Sequence, residues 1–345
     1  MAIFFDAPVS PDALTAFIRG VPTPSEFALS NTFDTVTEAT NTVDFAEIVR
    51  TNRTARYRAF DGRIHVSERD TGSEKRVKLA PLSTSLSMGE LERLQLEFAR
   101  TSGTNQQAMA AAIYNDAQNL TREVQARVEQ AWGDTLTDGK LSINENGLVS
   151  EADYGVPANH IVSASTTWVT IASALALTEL LAWVDVYVDT NGFSPGSMQT
   201  SQRVQRLLQT NAQIVGAIAG TTSGRTRVTV PELNDLFASE GIPTLRPAYD
   251  TRVDIDGVST RVIADDKLMF FPPNIRDLGY MRYGLSATAL ELVNSNVADL
   301  SFEEAPGIVG VVEKIGPPYR EFVYCDAVGQ PILANASLLL VADVA

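Results

Sequence analysis

Asp185 and Asp189 stand four residues apart, a spacing that puts two carboxylates on one face of a helix. Such a pair could hold a divalent cation or divide acid and base roles. The plainer reading is an acidic helix end running into Asn191-Gly192. Asp254 and Asp256 flank Ile255 before Gly257, and Asp-Gly is first of all a hairpin turn. Asp265-Asp266 before Lys267 reads as a polar turn. The two histidines, His65 and His160, lie in no nucleophile or metal motif. Cys325, the single cysteine, reads as a buried small hydrophobe and excludes an intrachain disulfide. Gly216-Ala-Ile-Ala-Gly220 and Gly220-Thr-Thr-Ser-Gly224 lack the Gly-Lys-Ser/Thr of a phosphate loop, and no Gly-x-Ser-x-Gly elbow occurs. The expectation is a chain without catalytic residues, cofactor or metal.

Charge carries more information. The 345 residues include 27 Lys and Arg against 42 Asp and Glu, a formal net charge of −15. Between Arg50 and Lys78 the sign reverses, with nine basic residues against four acidic. Arg53, Arg56, Arg58, Arg63, Lys75, Arg76 and Lys78 are the candidate contact residues. Their partner could be the acidic surface of a second copy. It could be solvent, if the basic residues keep an edge hairpin soluble. It could also be nucleic acid or another anionic ligand. The acidic remainder argues against broad binding of duplex DNA, which Lys and Arg drive.

The elements that position these residues follow from pattern. Residues 1–49 hold seven acids against Arg19 alone. Ser10-Pro11-Asp12 starts a short helix with Leu14, Phe17 and Ile18 on one face, and threonines among single hydrophobics then read as extended chain. An arm with so little core of its own is expected to lie on something else. Residues 50–80 read as strands about Asp61-Gly62 and Thr71-Gly72-Ser73 turns, too thin to hold shape alone. Residues 88–100 read as a short amphipathic helix. Ile113, Ala117, Leu120, Val124, Val128 and Ala131 then mark a long helix over 105–132, with Asn115, Gln118, Arg122, Gln125 and Glu129 on its polar side. Beyond it the pattern predicts a strand at 161–171, helices at 172–188, 198–219 and 231–239, and strands at 244–249, 251–255, 259–263 and 267–271. Strands at 307–312, 320–325 and 337–341 close the chain. Helices alternating with strands mean an α+β or α/β domain.

Several classes fall away. At 44% apolar and 20% charged residues, the chain can bury a core and is not globally disordered. No run reaches the ~18–20 apolar residues a bilayer requires. Met1-Ala-Ile-Phe-Phe-Asp6 lacks the basic start and apolar middle of a signal peptide. Sparse cysteine suggests a cytosolic origin.

Acidic arm, basic two-stranded loop, long helix and mixed α/β domain occur in that order. The order resembles that of major capsid proteins of tailed bacteriophages with the Hong Kong 97 fold, and is most similar to the lambda-type capsid protein E family. Three stretches carry the resemblance. One is Val77-Lys-Leu-Ala-Pro-Leu82 followed by Gly89-Glu-Leu-Glu-Arg-Leu94. The second is Thr121-Arg-Glu-Val124 with Ala131-Trp-Gly-Asp134 and Asp138-Gly139. The third is Gly241-Ile-Pro-Thr-Leu245, Tyr249-Asp250, Asp256-Gly257, Ile263-Ala-Asp-Asp-Lys-Leu268 and Pro272.

The resemblance implies an α+β Hong Kong 97-like fold. Its parts would be an N-terminal arm (1–49), an extended loop (50–86), a peripheral domain with a spine helix (87–165), an axial domain (166–285) and return strands (286–345). It implies a major capsid protein that forms hexamers and pentamers of an icosahedral shell around a double-stranded DNA genome. Implied partners are other copies of the chain, a separate scaffolding protein, a portal and a decoration protein. DNA would be contained and not specifically bound, and no membrane is involved. Assembly would occur in the host bacterial cytoplasm and end in the virion capsid, without a covalent crosslink. The alternatives are an encapsulin-like compartment shell and a carboxylate- or metal-dependent enzyme.

Overall fold

A computed structural model describes residues 9–48, 72–89, 91, 105–220, 224–295, 300–316 and 320–345. The Asp61-Gly62 turn and most of the helix expected over 88–100 therefore lie outside the described residues; Met88, its expected first residue, instead ends a strand. From the N-terminus the chain forms α1 (Pro11–Gly20), α2 (Ala28–Thr32), β1 (Thr35–Thr37), β2 (Thr42–Ile48), β3 (Gly72–Lys78) and β4 (Pro81–Met88). Next come α3 (Asn105–Asp138), β5 (Lys140–Glu145), β6 (Leu148–Asp153), β7 (Ile161–Ser163) and α4 (Ala176–Asn191). Then follow β8 (Ser197–Thr200), α5 (Gln202–Thr210), α6 (Ala212–Ala219), α7 (Val230–Glu240), β9 (Thr244–Leu245), β10 (Arg252–Ile255) and β11 (Val258–Arg261). The last elements are β12 (Lys267–Phe271), β13 (Gly279–Tyr283), α8 (Ala287–Asn294), β14 (Val309–Ile315), β15 (Arg320–Leu333) and β16 (Leu340–Asp343).

Two sheets organise these elements. In the first, β15 pairs antiparallel with β13, β14 and β4, and β1 adds to β13 in parallel. In the second, the order is β7-β16-β12-β8-β9. Its apolar core joins Leu268, Phe270 and Leu340 to Trp183 and Tyr187 of α4, Leu208 of α5, Ile214 of α6 and Phe237 of α7. The alternate β12 residues Met269 and Phe271 belong instead to the core under the first sheet. This is the two-sided burial expected of an inner strand.

Helix α3 spans 34 residues, about 51 Å at the standard rise. It outruns the expected end at residue 132 because Leu136 continues the buried stripe, and it stops at Gly139, where φ is +73°. Ile113 to Val124 pack with α1 and with Val312, Val323 and Cys325. Val128, Trp132 and Leu136 pack in the core that also holds Phe33, Leu141 and Tyr154. Gly133 lies where α3 crosses the chain at Val262, since a β-carbon there would sit 2.3 Å from the Val262 carbonyl oxygen. Glu129, placed by periodicity among the polar residues, is fully buried.

The arm departs most from expectation. Leu14, Ile18, Phe27, Leu29 and Phe33 are buried in the subunit's own cores, and Phe33 stacks on Trp132 at 3.8 Å between ring centroids. Residues 9–43 are thus folded onto their own chain and do not wait for a neighbour. Their hydrophobics are too sparse to make a core among themselves, but each finds a place against α3 or β14.

Other boundaries also shift. The strand expected over 161–171 is confined to β7, and Trp168 then inserts into the second core with its backbone N–H on the Val344 carbonyl at 2.7 Å. The helix expected over 198–219 is β8 followed by two helices. The break falls at Asn211, whose Oδ1 accepts from Gln213 and Ile214 N–H and so caps α6. The strand expected over 320–325 runs fourteen residues, through Gly329 and Pro331. Among the described residues no helix is long and apolar enough to cross a membrane.

Gly310 on β14 is the seat of α1, because a methyl group there would meet Ile18 Cδ1 at 2.1 Å and Leu14 Cγ at 3.2 Å. Gly310→Ala is expected to cost ~1–3 kcal/mol through overpacking, read as a lower melting temperature with faster amide exchange in 11–20. Unchanged exchange there would mean α1 is seated elsewhere.

Candidate assembly surface

The basic segment lies in sequence between the two strands of the β2–β3 ribbon, which pairs Thr42 with Lys78 through Ile48 with Gly72. Its root is fixed on both strands. Val43 and Val77 face each other and are buried. Asn41 accepts the Leu79 N–H on its carbonyl at 3.0 Å and the Leu285 N–H on Oδ1 at 2.9 Å. Arg76 and Lys78 are exposed. Arg76 stands opposite Asp44, and Lys75 opposite Phe45. Arg53, Arg56, Arg58 and Arg63 lie outside the described residues.

This register divides the candidates. Over the paired strands, Lys75, Arg76 and Lys78 share the ribbon with Asp44, Glu47 and Glu74, so the ribbon is neutral. Residues 50–71 carry six arginines against three acids. The uncompensated positive charge therefore belongs to the segment holding Arg53, Arg56, Arg58 and Arg63.

The arm is held by polar clamps that the sequence pattern did not single out. The Arg19 guanidinium donates to the carbonyls of Glu304 (2.7 Å), Ile308 (3.0 Å), Pro306 (3.2 Å) and Ala305 (3.3 Å). Burial lowers its pKa and the Glu304 carboxylate opposes that shift. Glu129 Oε1 accepts from Leu29 N–H at 3.0 Å and from the Tyr249 hydroxyl at 2.7 Å. Its Oε2 accepts from Ser30 N–H at 2.7 Å and Ser30 Oγ at 2.6 Å. A buried carboxylate thus satisfies the open N–H groups at the start of α2, which has no side-chain cap of its own. Burial and the Glu129 charge together push the Tyr249 phenol up. Asp34 pairs with Arg276 and Glu38 with Arg282, one on each side of β1. Arg19 was visible as the arm's one cation; Glu129 gave no signal, because its partners lie about a hundred residues away in sequence.

The residues considered for catalysis are not brought together. Asp185 and Asp189 are exposed on α4, which ends at Gly192 with φ +79°. Asp256 and Gly257 have φ +53° and +82°, the signature of a type I′ hairpin turn, and Asp254 Oδ1 accepts the Gly257 N–H. Asp265 pairs with Arg203 at 3.0 Å. Gly220 closes α6. Cys325 is buried and its thiol is pushed up to about 12, chiefly by burial. His65 lies outside the described residues. His160 is buried with Nδ1 2.9 Å from the Leu339 carbonyl oxygen and its ring 5.8 Å from that of Tyr187. Among the described residues, no group of three or more His, Cys, Asp or Glu could hold a metal.

Comparison with known proteins gives a consistent result. The sequence matches the family model described as phage major capsid protein E over residues 10–299. The fold is similar to that of the putative capsid protein of a prophage of E. coli CFT073, with a TM-score of 0.63 at 16% identity, covering 98% of this chain and 99% of that one. It is also similar to a phage-related protein from Bordetella bronchiseptica RB50, with a TM-score of 0.52 at 14% identity, covering 99% and 98%. At these identities the likeness concerns the fold. None of the curated proteins matches by sequence.

Two predictions test the packing around the site. Glu129→Ala removes the acceptor for four buried or half-buried donors and should destabilise the subunit by roughly 2–4 kcal/mol, with exchange rising in 26–33. A loss below about 0.5 kcal/mol would mean water replaces the carboxylate. His160 titrates below its ordinary value of 6.5, first because burial disfavours the charged ring. The unfolded chain therefore binds a proton that the folded chain refuses. Stability from this group is fully present above about pH 6.5 and falls as pH drops below it, by up to ~1.4 kcal/mol per unit. In urea titrations at pH 7.5 and 5.5, His160→Gln should lose less stability between the two than the parent; equal losses would refute the assignment.

Proposed function

This chain belongs to the phage major capsid protein E family, and from that premise we infer that its copies form the hexamers and pentamers of an icosahedral head shell around double-stranded DNA. The observation that carries the reading is the family match over residues 10–299. As a phage capsid protein it resides in the virion capsid. In this reading the shell is built in the host bacterial cytoplasm, with a scaffolding protein, a portal and a decoration protein as partners, and the protein performs no catalysis.

The contact we assign to assembly is the basic segment. Arg53, Arg56, Arg58 and Arg63, with Lys75, Arg76 and Lys78 at the root, would bridge to an acidic neighbour. Support comes from charge: a chain of −15 repels its own copies, so attraction has to be local. The shell's acidic bulk would keep packaged DNA mobile, because phosphate is repelled where Lys and Arg are sparse. Residues 50–86 would be the extended loop, 87–165 the peripheral domain and 286–345 the return strands. The axial domain would span 166–285.

Purified protein, alone or with its scaffolding protein, should form particles visible by electron microscopy, and more salt should weaken them. A strict monomer at every concentration and salt would overturn the reading. Arg56→Glu, Arg58→Glu and Arg63→Glu combined should block particles and leave the subunit's circular dichroism unchanged. Loss of fold in that variant would assign these arginines to the subunit core.

A further inference from the structure

Residues 203–261 hold seven arginines, no lysine and six acids, a balance that gives no sign of a charged patch. The fold produces one. Arg203 and Arg206 stand three apart on α5 and so share a face. Arg252 of β10 stands directly opposite Arg261 of β11, and the side chains of an opposed pair lie on one side of a ribbon. The two pairs meet around one open groove of about 430 Å³, which all four arginines line with Asp250 as the one acid. Each wall is fixed from behind. Val204 and Leu208 of α5 are buried in the second core, and Val253 and Val262 beside the ribbon arginines are buried in the first. Carboxylates of the subunit engage only half of this charge. Asp250 accepts from Arg261 Nη1 at 2.6 Å and from the Gln202 N–H at 3.0 Å, which fills the N-terminus of α5. Asp265 accepts from Arg203 at 3.0 Å. Arg206 and Arg252 are exposed, and none of the ion pairs among the described residues uses them. Arg252 reaches only the Ser259 carbonyl of its own ribbon, at 3.4 Å.

We propose that this groove binds a phosphate group, taken as free phosphate or from the backbone of a nucleic acid, with Arg206 and Arg252 as its principal contacts. Like charges set opposite one another cost stability, and an anion between them reverses that cost. Phosphate fits better than carboxylate. One guanidinium fork matches the single edge of one carboxylate, and Asp250 and Asp265 already occupy two of the forks. The two left unpaired come from different elements, a helix and a ribbon, and call for an anion that accepts from several directions. A phosphate presents oxygens in several directions and carries about two negative charges near neutral pH, the charge that the groove leaves unpaired. The contact reads phosphate and no base sequence, so it is compatible with DNA that is contained without specific recognition. It does not depend on the shell reading.

The test uses the full-length protein at fixed ionic strength, balanced with sodium chloride. Inorganic phosphate, followed by calorimetry, and a short fluorescent DNA duplex, followed by anisotropy, are the phosphate probes. A poly-glutamate peptide is the carboxylate probe. At least one phosphate probe should bind, and Arg206→Gln combined with Arg252→Gln should weaken it about tenfold or more. Arg122→Gln combined with Arg320→Gln makes the same charge change at exposed arginines outside the groove and should leave binding unchanged. Inorganic phosphate bound in this way identifies a small phosphate as ligand; the duplex bound without it identifies the nucleic-acid backbone. In chloride alone, Arg206→Gln with Arg252→Gln should melt at or above the parent's temperature, because like-charged neighbours are removed. A lower melting temperature there would assign the two arginines to the fold and overturn the proposal. So would binding that this variant keeps, or an equal loss in the Arg122 and Arg320 variant. Capture of the peptide with neither phosphate probe, or no binding by any probe, would overturn it as well.

Discussion

A single stripe along α3, from Ile113 to Leu136, has to be covered along about 35 Å of helix, and it is shared between two covers. The N-terminal half is closed by α1 and the β14–β15 strands. The C-terminal half is closed by the residues under the first sheet and by Phe33 of the arm. At roughly 1.5–3 kcal/mol for each large apolar side chain buried, losing either cover would expose a substantial part of the subunit's stability. This explains why the arm is folded back onto the subunit, why Gly310 must lack a side chain, and why Glu129 accepts burial. A carboxylate out of water is costly unless its oxygens are satisfied, and here four donors converge on them. The clamp makes α2 a rigid part of the cover, though α2 is only five residues long.

Electrostatics sets the second constraint. Copies with a net charge of −15 repel one another at distances beyond contact, and at physiological salt that repulsion is screened within about 8 Å. Attraction has to be concentrated where surfaces touch. The sequence meets this by segregation: basic residues gather in 50–78, whereas 141–202 and 284–313 have none. The β2–β3 ribbon balances its own charges, so the excess belongs to residues 50–71 between its strands. Charge thereby favours contact at residues 50–71, where the excess lies in the sequence.

How much of this was legible in the sequence depended on range. The stripe on α3, the Ser10 cap with Pro11 at the start of α1, the Asp256-Gly257 turn and β12 were readable, because each is determined by residues within a turn or a strand of one another. Leu14 and Ile18 were read as a short helical face, but their burial depends on Gly310, three hundred residues away. Glu129 sat in a run of polar residues and looked solvent-facing; its partners Ser30 and Tyr249 are distant in both directions. Asn211 splits one expected helix into two because its side chain offers α6 a better start than the backbone alone would. On the assembly surface, the sign and place of the charge were legible, whereas the neutral pairing of β2 with β3 needed the register.

The folded arm changes what assembly has to accomplish. Ordering a backbone costs about 1–2 kcal/mol per residue, so residues 9–43 left unstructured in the free subunit would impose a penalty of tens of kcal/mol on whichever step ordered them. Burial of Leu14, Ile18, Phe27, Leu29 and Phe33 settles that cost during folding of the subunit. Contacts between copies then need only the modest strength of exposed ion pairs with apolar neighbours, a few tenths to one kcal/mol each. Weak contacts of this kind come apart and re-form. A closed shell of many copies requires that reversibility, because a misplaced subunit held by strong contacts would stay where it landed.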